Sequence, residues 1–135
     1  MWGSTEKMAR KMVEGIADAG VSAKLFDVAS ADRTGVVKEM LDAKGYLFGS
    51  STHDNDMLPN MAGFLEFVKG LKPKARVAGL FGSYGWSGGA VASMEKEIKE
   101  SGIDIVMPQI SFKYMPDEND LKKCYDYGKE FAGKL

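Results

Sequence analysis

At 135 residues and 14.7 kDa, with 44% hydrophobic and 10% aromatic residues, the chain has the size of one domain and enough apolar side chains to bury a core, which excludes a disordered segment. Eighteen Lys and Arg against nineteen Asp and Glu leave a net charge of -1, without the cationic field that collects nucleic-acid phosphates, and no apolar run approaches the roughly 20 residues of a membrane-spanning helix. One cysteine, Cys124, and one histidine, His53, make neither an internal disulfide nor a His/Cys metal site, and no basic-then-apolar leader opens the chain, so a metal-free domain in a reducing cytoplasm is expected.

From Thr5 the residues Met8, Ala9, Met12, Val13, Ile16 and Ala17 fall on one helical face, and Gly20 supplies the stop. Residues 21–28, with Val21, Ala23 and Leu25, are expected as a strand. A polar turn at 30–34 leads to a second helix through Val36, Val37, Met40 and Leu41. Residues 46–49, apolar between Gly45 and Ser50, read as a strand covered on both faces. After a polar loop at 50–58, Pro59 opens a helix with Met61, Phe64, Leu65 and Val68 on one side, and Gly70 ends it. The unit repeats: a buried strand at 76–81, a glycine-rich loop at 82–89, and a helix marked by Val91, Met94 and Ile98 and closed by Gly102. Residues 103–114 read as a last strand region interrupted at Pro108, and Asp117 can cap a final helix carrying Leu121, Cys124, Tyr125, Gly128, Ala132 and Leu135. Cys124 and most of the nine methionines fit apolar stripes as core filler.

Strands alternating with helices predict a doubly wound parallel α/β sheet, whose ligands bind beyond the carboxyl ends of the strands. The chain opens on a strand-to-helix loop, so the first strand of such a sheet is missing from it: the sequence is a fragment, or the fold tolerates the loss. Residues 1–135 are expected to form one N-terminally incomplete domain, and unpaired inner strand edges would favour a homo-oligomer.

Three loops carry the chemistry. Gly3, Ser4 and Thr5 lead directly into the first helix, where free amides, two hydroxyls and the positive end of the helix dipole can hold a phosphate monoester; the alternative is a plain helix cap. Gly82-Ser83-Tyr84-Gly85-Trp86-Ser87-Gly88-Gly89 places two aromatics among four glycines, suited either to stacking a flat conjugated ligand or to a satellite apolar contact. Its formal match to the G-x-S-x-G nucleophile elbow is rejected. Five residues separate Phe81 from Ser87, and His53 lies upstream, where that fold wants its histidine last. Ser51, Thr52, His53, Asp54 and Asn55 offer donors and acceptors for the polar edge of a heterocycle and make a poor metal site.

These loops, in this order, resemble the flavodoxin family, whose first loop follows T-x-T-G-x-T around the phosphate of FMN. Trp2-Gly3-Ser4-Thr5 matches its last four positions with Trp for Thr. More closely, MWGSTEKMA, GSSTHDNDMLP, FGSYGWSGGAV and KYMPDENDLKKCYDYGKEFA are similar to the C-terminal flavodoxin-like domain of flavodiiron proteins. That resemblance covers almost the whole chain. It implies an FMN electron-transfer domain that serves a diiron oxygen or nitric oxide reductase centre held by a metallo-β-lactamase-like domain, with a rubredoxin-like donor. By itself the chain would not be a complete reductase. The resemblance further implies that Trp2, Gly3, Ser4 and Thr5 hold the phosphate, that Ser51, Thr52, His53, Asp54 and Asn55 border the isoalloxazine, and that Ser83, Tyr84, Gly85, Trp86 and Gly88 cover its other side. The family's second loop commonly reads S-P-T-x-N-x-G, and here Ser51, Asp54 and Asp56 replace the Pro, the first Asn and the Gly. The competing expectation is a flavin-free domain of the same fold that binds a phospho-ligand or signals.

Overall fold

The computed structural model describes residues 3–53, 56–71, 73, 76–85 and 88–135, with His53 described by its backbone alone. Among the described residues five helices and five strands follow in the order α1 (Ser4–Asp18), α2 (Arg33–Asp42), β1 (Gly45–His53), β2 (Asp56–Met57), α3 (Pro59–Leu71), β3 (Val77–Tyr84), α4 (Ala90–Glu100), β4 (Asp104–Ile105), β5 (Ile110–Lys113) and α5 (Glu118–Ala132). β1 and β3 run parallel from Gly45↔Val77 to Ser51↔Ser83. On its far side β3 pairs in parallel first with β4 and then with β5. β2 folds back on β1 as a two-residue antiparallel step, Thr52↔Met57 and His53↔Asp56.

The strand pleat sorts the core into two layers. Tyr46, Phe48, Ala78 and Leu80 face α2, α3 and α4, meeting Met40, Phe64, Leu65, Val68, Met94 and Ile98. On the opposite face Leu47, Val77 and Phe81 meet Met8, Met12, Cys124, Tyr127 and Phe131 of α1 and α5. Most residues of the expected helical stripes are buried, but Ala17 and Leu41 are exposed, and Leu135 is exposed beyond the end of α5, where no facing layer of the described residues covers them. Asp117 caps α5 in a reciprocal box: the Asp120 amide donates to its carboxylate at 2.8 Å, and its own amide donates to Asp120 at 3.1 Å.

The sheet departs from expectation in three places. Residues 21–27 form no strand. A strand exists through its ladder, and among the described residues no segment pairs with them. They face the open edge of β1 across a groove of about 840 Å³, lined in part by Leu25, Phe26, Met40, Tyr46, Phe48 and Phe64. Both polar loops are also shorter than expected. β1 continues through Ser50 and Ser51 by parallel pairing with β3 and through Thr52 by the antiparallel step with β2, and β3 continues through Gly82, Ser83 and Tyr84 by pairing with β1 and β5. Finally, the strand region interrupted at Pro108 is two separate strands. They leave Gly79 and Leu80 of β3 without a partner on that edge. The Tyr127 hydroxyl fills the gap, accepting from the Leu80 amide at 3.2 Å and donating to the Leu80 carbonyl at 3.3 Å.

Candidate functional site

α1 delivers its N-terminus to the carboxyl ends of β1 and β3. Gly3 caps it in the left-handed region, φ 72° and ψ 9°, with no side-chain cap bond, a conformation glycine adopts without strain. The first bond along the helix runs from the Lys7 amide to the Gly3 carbonyl at 3.0 Å, so the amides of Ser4, Thr5 and Glu6 come before the ladder and point out of the helix end. Glu6 does not crowd that end with free charge, since its carboxylate accepts from Arg10 at 2.9 Å.

Ser4 and Thr5 divide their roles. Ser4 is buried, and its hydroxyl donates to the Met115 sulfur at 3.6 Å. Thr5 sits in a triangle of hydroxyls, 3.0 Å from Ser51 Oγ and 2.9 Å from Ser83 Oγ, with 3.3 Å between the two serines. Ser51 and Ser83 are only 1% and 4% exposed, so both lie behind Thr5. Thr52 is likewise engaged: its hydroxyl accepts the first amide of α4, from Ala90, at 3.3 Å. Ser50 closes the second loop, accepting from the Leu58 amide at 3.0 Å and donating to the Ser51 carbonyl at 2.8 Å. Asp56 turns to α4, and hydrogen bonds from Ser93 and the Met57 amide hold its carboxyl below the ordinary range.

At the third loop Tyr84 ends β3, and a methyl added at Gly88 would lie 3.8 Å from its ring. Gly85 stands in the same relation, 3.8 Å, to the ring of Tyr114. Trp2, Asp54, Asn55 and Trp86 lie outside the described residues, as does the His53 side chain. Sequence reasoning missed Tyr114 and Met115. Tyr114 has φ 59°, is 64% exposed, and donates its amide to the Tyr84 carbonyl at 2.6 Å. A bulky residue in the left-handed region beside a loop cluster is the sort of strain that marks functional sites; the available signal was two large apolar residues following the alternation of β5. Cys124 is buried in the α1–α5 layer, where burial pushes its thiol up to about 11. Among the described residues no cluster of His, Cys, Asp and Glu could hold a metal ion, and no helix is long and apolar enough to cross a membrane.

A parallel sheet covered by helices on both faces, with backbone and hydroxyl donors gathered at its carboxyl edge, defines the mononucleotide-binding class of doubly wound domains. Residues 1–128 match the flavodoxin family, and the chain belongs to it. The cofactor of that family is FMN. The chain is 40% identical over 136 residues to the nitric oxide reductase of Moorella thermoacetica, covering all of this chain and 34% of that protein's length. Its fold matches the rubredoxin oxygen:oxidoreductase of Desulfovibrio gigas with a TM-score of 0.94 at 34% identity, over 99% of this chain and 33% of that one. A flavodoxin from the domain Archaea matches at 0.90 and 27% identity, over 99% of this chain and 92% of its own. The chain thus spans about a third of the two reductases and nearly all of the stand-alone flavodoxin.

Proposed function

We propose that residues 1–135 form an FMN-binding electron-transfer domain acting in the cytoplasm, and that its electrons pass to a diiron oxygen or nitric oxide reductase centre on another domain or chain, with a rubredoxin-like donor. The observation that carries the cofactor assignment is the end of α1: Gly3 in the left-handed region, three amides ahead of the helical ladder, and the Thr5 hydroxyl held against β1 and β3. These groups are donors, and the carboxylate of Glu6, in the same turn, is paired to Arg10. A phosphate monoester, which offers acceptor oxygens, fits that chemistry. The partner assignment rests on the relatives named as nitric oxide and oxygen reductases.

Bound FMN supplies the one- and two-electron chemistry, while the chain supplies binding, orientation and electrostatics. Gly3, Thr5 and the first amides of α1 would anchor the phosphate. The loops after β1 and β3 would flank the ring, the latter presenting Tyr84 as an aromatic face. The test compares FMN with riboflavin, which lacks the phosphate. Thr5→Ala removes a charge-assisted hydrogen bond worth about 1.5–3 kcal/mol, so FMN should weaken roughly 10- to 100-fold and riboflavin by less than twofold. Equal losses in a fluorescence titration would overturn the phosphate assignment. A chain that binds phosphate esters yet shows no flavin absorption would favour the flavin-free alternative.

A further inference from the structure

We propose that Met115 is a modification site: hydrogen peroxide converts it to a sulfoxide, which the Ser4 hydroxyl holds at the first turn of α1, where it competes with a phosphate. The competition rests on the phosphate reading above, and the oxidation does not. The other methionines among the described residues are at most 8% exposed, whereas Met115 is 44% exposed. Its sulfur nevertheless accepts from Ser4 Oγ at 3.6 Å, across 111 residues of sequence, and Ser4 is 5% exposed. The chain on either side is anchored. Tyr114 donates its amide to the Tyr84 carbonyl at 2.6 Å, and Pro116 is buried. The loop between β5 and α5 thus offers one methionine to solvent while keeping its sulfur against α1.

The chemistry is a two-electron oxygen transfer. A sulfur lone pair attacks one peroxide oxygen, the O–O bond breaks and an S–O bond forms. Sulfur is oxidised and the peroxide reduced; the hydroxide that leaves takes the proton of the transferred oxygen, so the products are the sulfoxide and one water. Exposure selects the methionine that reacts, and the product is polar where the thioether was apolar. A thioether is a weak acceptor, and a sulfoxide oxygen is a strong one. That oxygen, one bond from a sulfur already in contact with Ser4, reaches the first turn of α1, where the amides of Ser4, Thr5 and Glu6 precede the helical ladder. The positive end of the helix favours an acceptor there. Donors engaged by the sulfoxide are lost to a phosphate, which draws on the same set.

The experiment treats the full 135-residue chain with dilute hydrogen peroxide, follows each methionine by peptide-mapping mass spectrometry, and then measures FMN and riboflavin affinities. Met115 should gain one oxygen on the order of tenfold faster than the buried methionines. FMN affinity should then fall about three- to tenfold, the range of one modest hydrogen bond, with riboflavin unchanged within about twofold. Methionine sulfoxide reductase should restore it. Met115→Leu, close in volume but without sulfur, should show no response of FMN affinity to peroxide, and it accounts for oxidation at any other methionine. Ser4→Ala should still be oxidised at Met115, yet its own FMN affinity should change by less than about twofold on treatment. Thermal melts confirm that each variant folds; Met115→Leu and the reductase reversal decide the matter if Ser4→Ala does not. Oxidation spread evenly over the methionines, or a loss that Met115→Leu shares, overturns the inference. So does an equal loss of FMN and riboflavin, the mark of general loosening, and an undiminished loss in Ser4→Ala removes Ser4 from it. FMN affinity intact after full oxidation of Met115, in a chain that prefers FMN to riboflavin, overturns the inference and leaves the phosphate reading standing. An untreated chain that binds the two ligands alike overturns the phosphate reading and the competition with it, and the oxidation site is then judged by the mass map alone.

Discussion

α1 and α5 approach so closely that backbone touches backbone. A methyl group at Gly128 would overlap the Met12 carbonyl oxygen outright and lie 2.8 Å from Met12 C and Cα. A methyl at Gly15 would overlap the Tyr125 carbonyl oxygen and lie 3.0 Å from the Lys129 amide. Backbone on both sides leaves no flexible side chain to yield. Gly128→Ala should therefore push the helices apart by roughly an ångström to restore ordinary contact. That opens the layer where Met8, Met12, Cys124 and Phe131 are sealed. Overpacking of this kind costs about 1–3 kcal/mol, and here the separation adds lost contacts along the pair; the helix propensity gained on replacing glycine returns about 1 kcal/mol. The net expectation is a loss of about 2 kcal/mol, or roughly 8 °C in Tm for a domain of this size. The control is Gly70→Ala, a position in α3 with nothing within 4 Å of the added carbon, where propensity acts alone and stability should rise by up to about 1 kcal/mol. Urea denaturation of the two variants reads the difference in sign. Equal stabilisation by both substitutions would refute the backbone-contact argument.

Tyr127→Phe should cost about 1–3 kcal/mol in the same assay, because it leaves the Leu80 amide and carbonyl unpartnered in the gap between β4 and β5. Burial pushes the Tyr127 hydroxyl up to about 12 from an ordinary 10.0. Its contribution is thus whole below pH 10 and lost as the pH rises towards 12, and alkaline melts of Tyr127→Phe should be flatter across that window than those of wild type. Changing Tyr84 and Trp86 together to Ala should weaken FMN and riboflavin equally and relieve quenching of flavin fluorescence, since stacking acts on the ring both ligands share; unaltered quenching would remove these aromatics from the ring's environment.

Helices and their buried faces were legible because their signals are local. The stripe of Met8, Met12 and Ile16, the left-handed stops at Gly20 and Gly102, and the Asp117 box each lie within a few residues of chain, whereas Gly70, expected as a stop, lies inside α3 without the left-handed turn that ends a helix. Strand ends were not, since a ladder decides them. Ser50, Ser51 and Thr52 look like a loop by polarity, yet their partners on β3 and β2 keep them in β1. The same dependence cost residues 21–28 their strand, whose apolar composition is adequate but whose neighbour is a groove. At the site, the three loops could be named from glycine, hydroxyl and aromatic content. What each hydroxyl does could not. Ser4 turns to Met115, Thr52 caps α4, and Ser51 with Ser83 backs Thr5, all through contacts distant in sequence.

The position of the proposed phosphate cradle is therefore a property of the core as much as of its loop. α1 is held along its length by α5, through glycines that let the two backbones meet, and at its first turn by hydroxyls rising from β1 and β3. These restraints act at different points on one rigid rod, so a shift at Gly128 is transmitted to Thr5 with little loss. Lengthening the 2.9 and 3.0 Å contacts of Thr5 by a few tenths of an ångström would take them to the edge of hydrogen-bonding distance. Affinity for the phosphate should consequently fall in Gly128→Ala even though that residue lies on another helix. The same variant's affinity for riboflavin, which lacks the phosphate, should fall less, and a parallel decline of the two would mean that α1 moves without disturbing its own first turn.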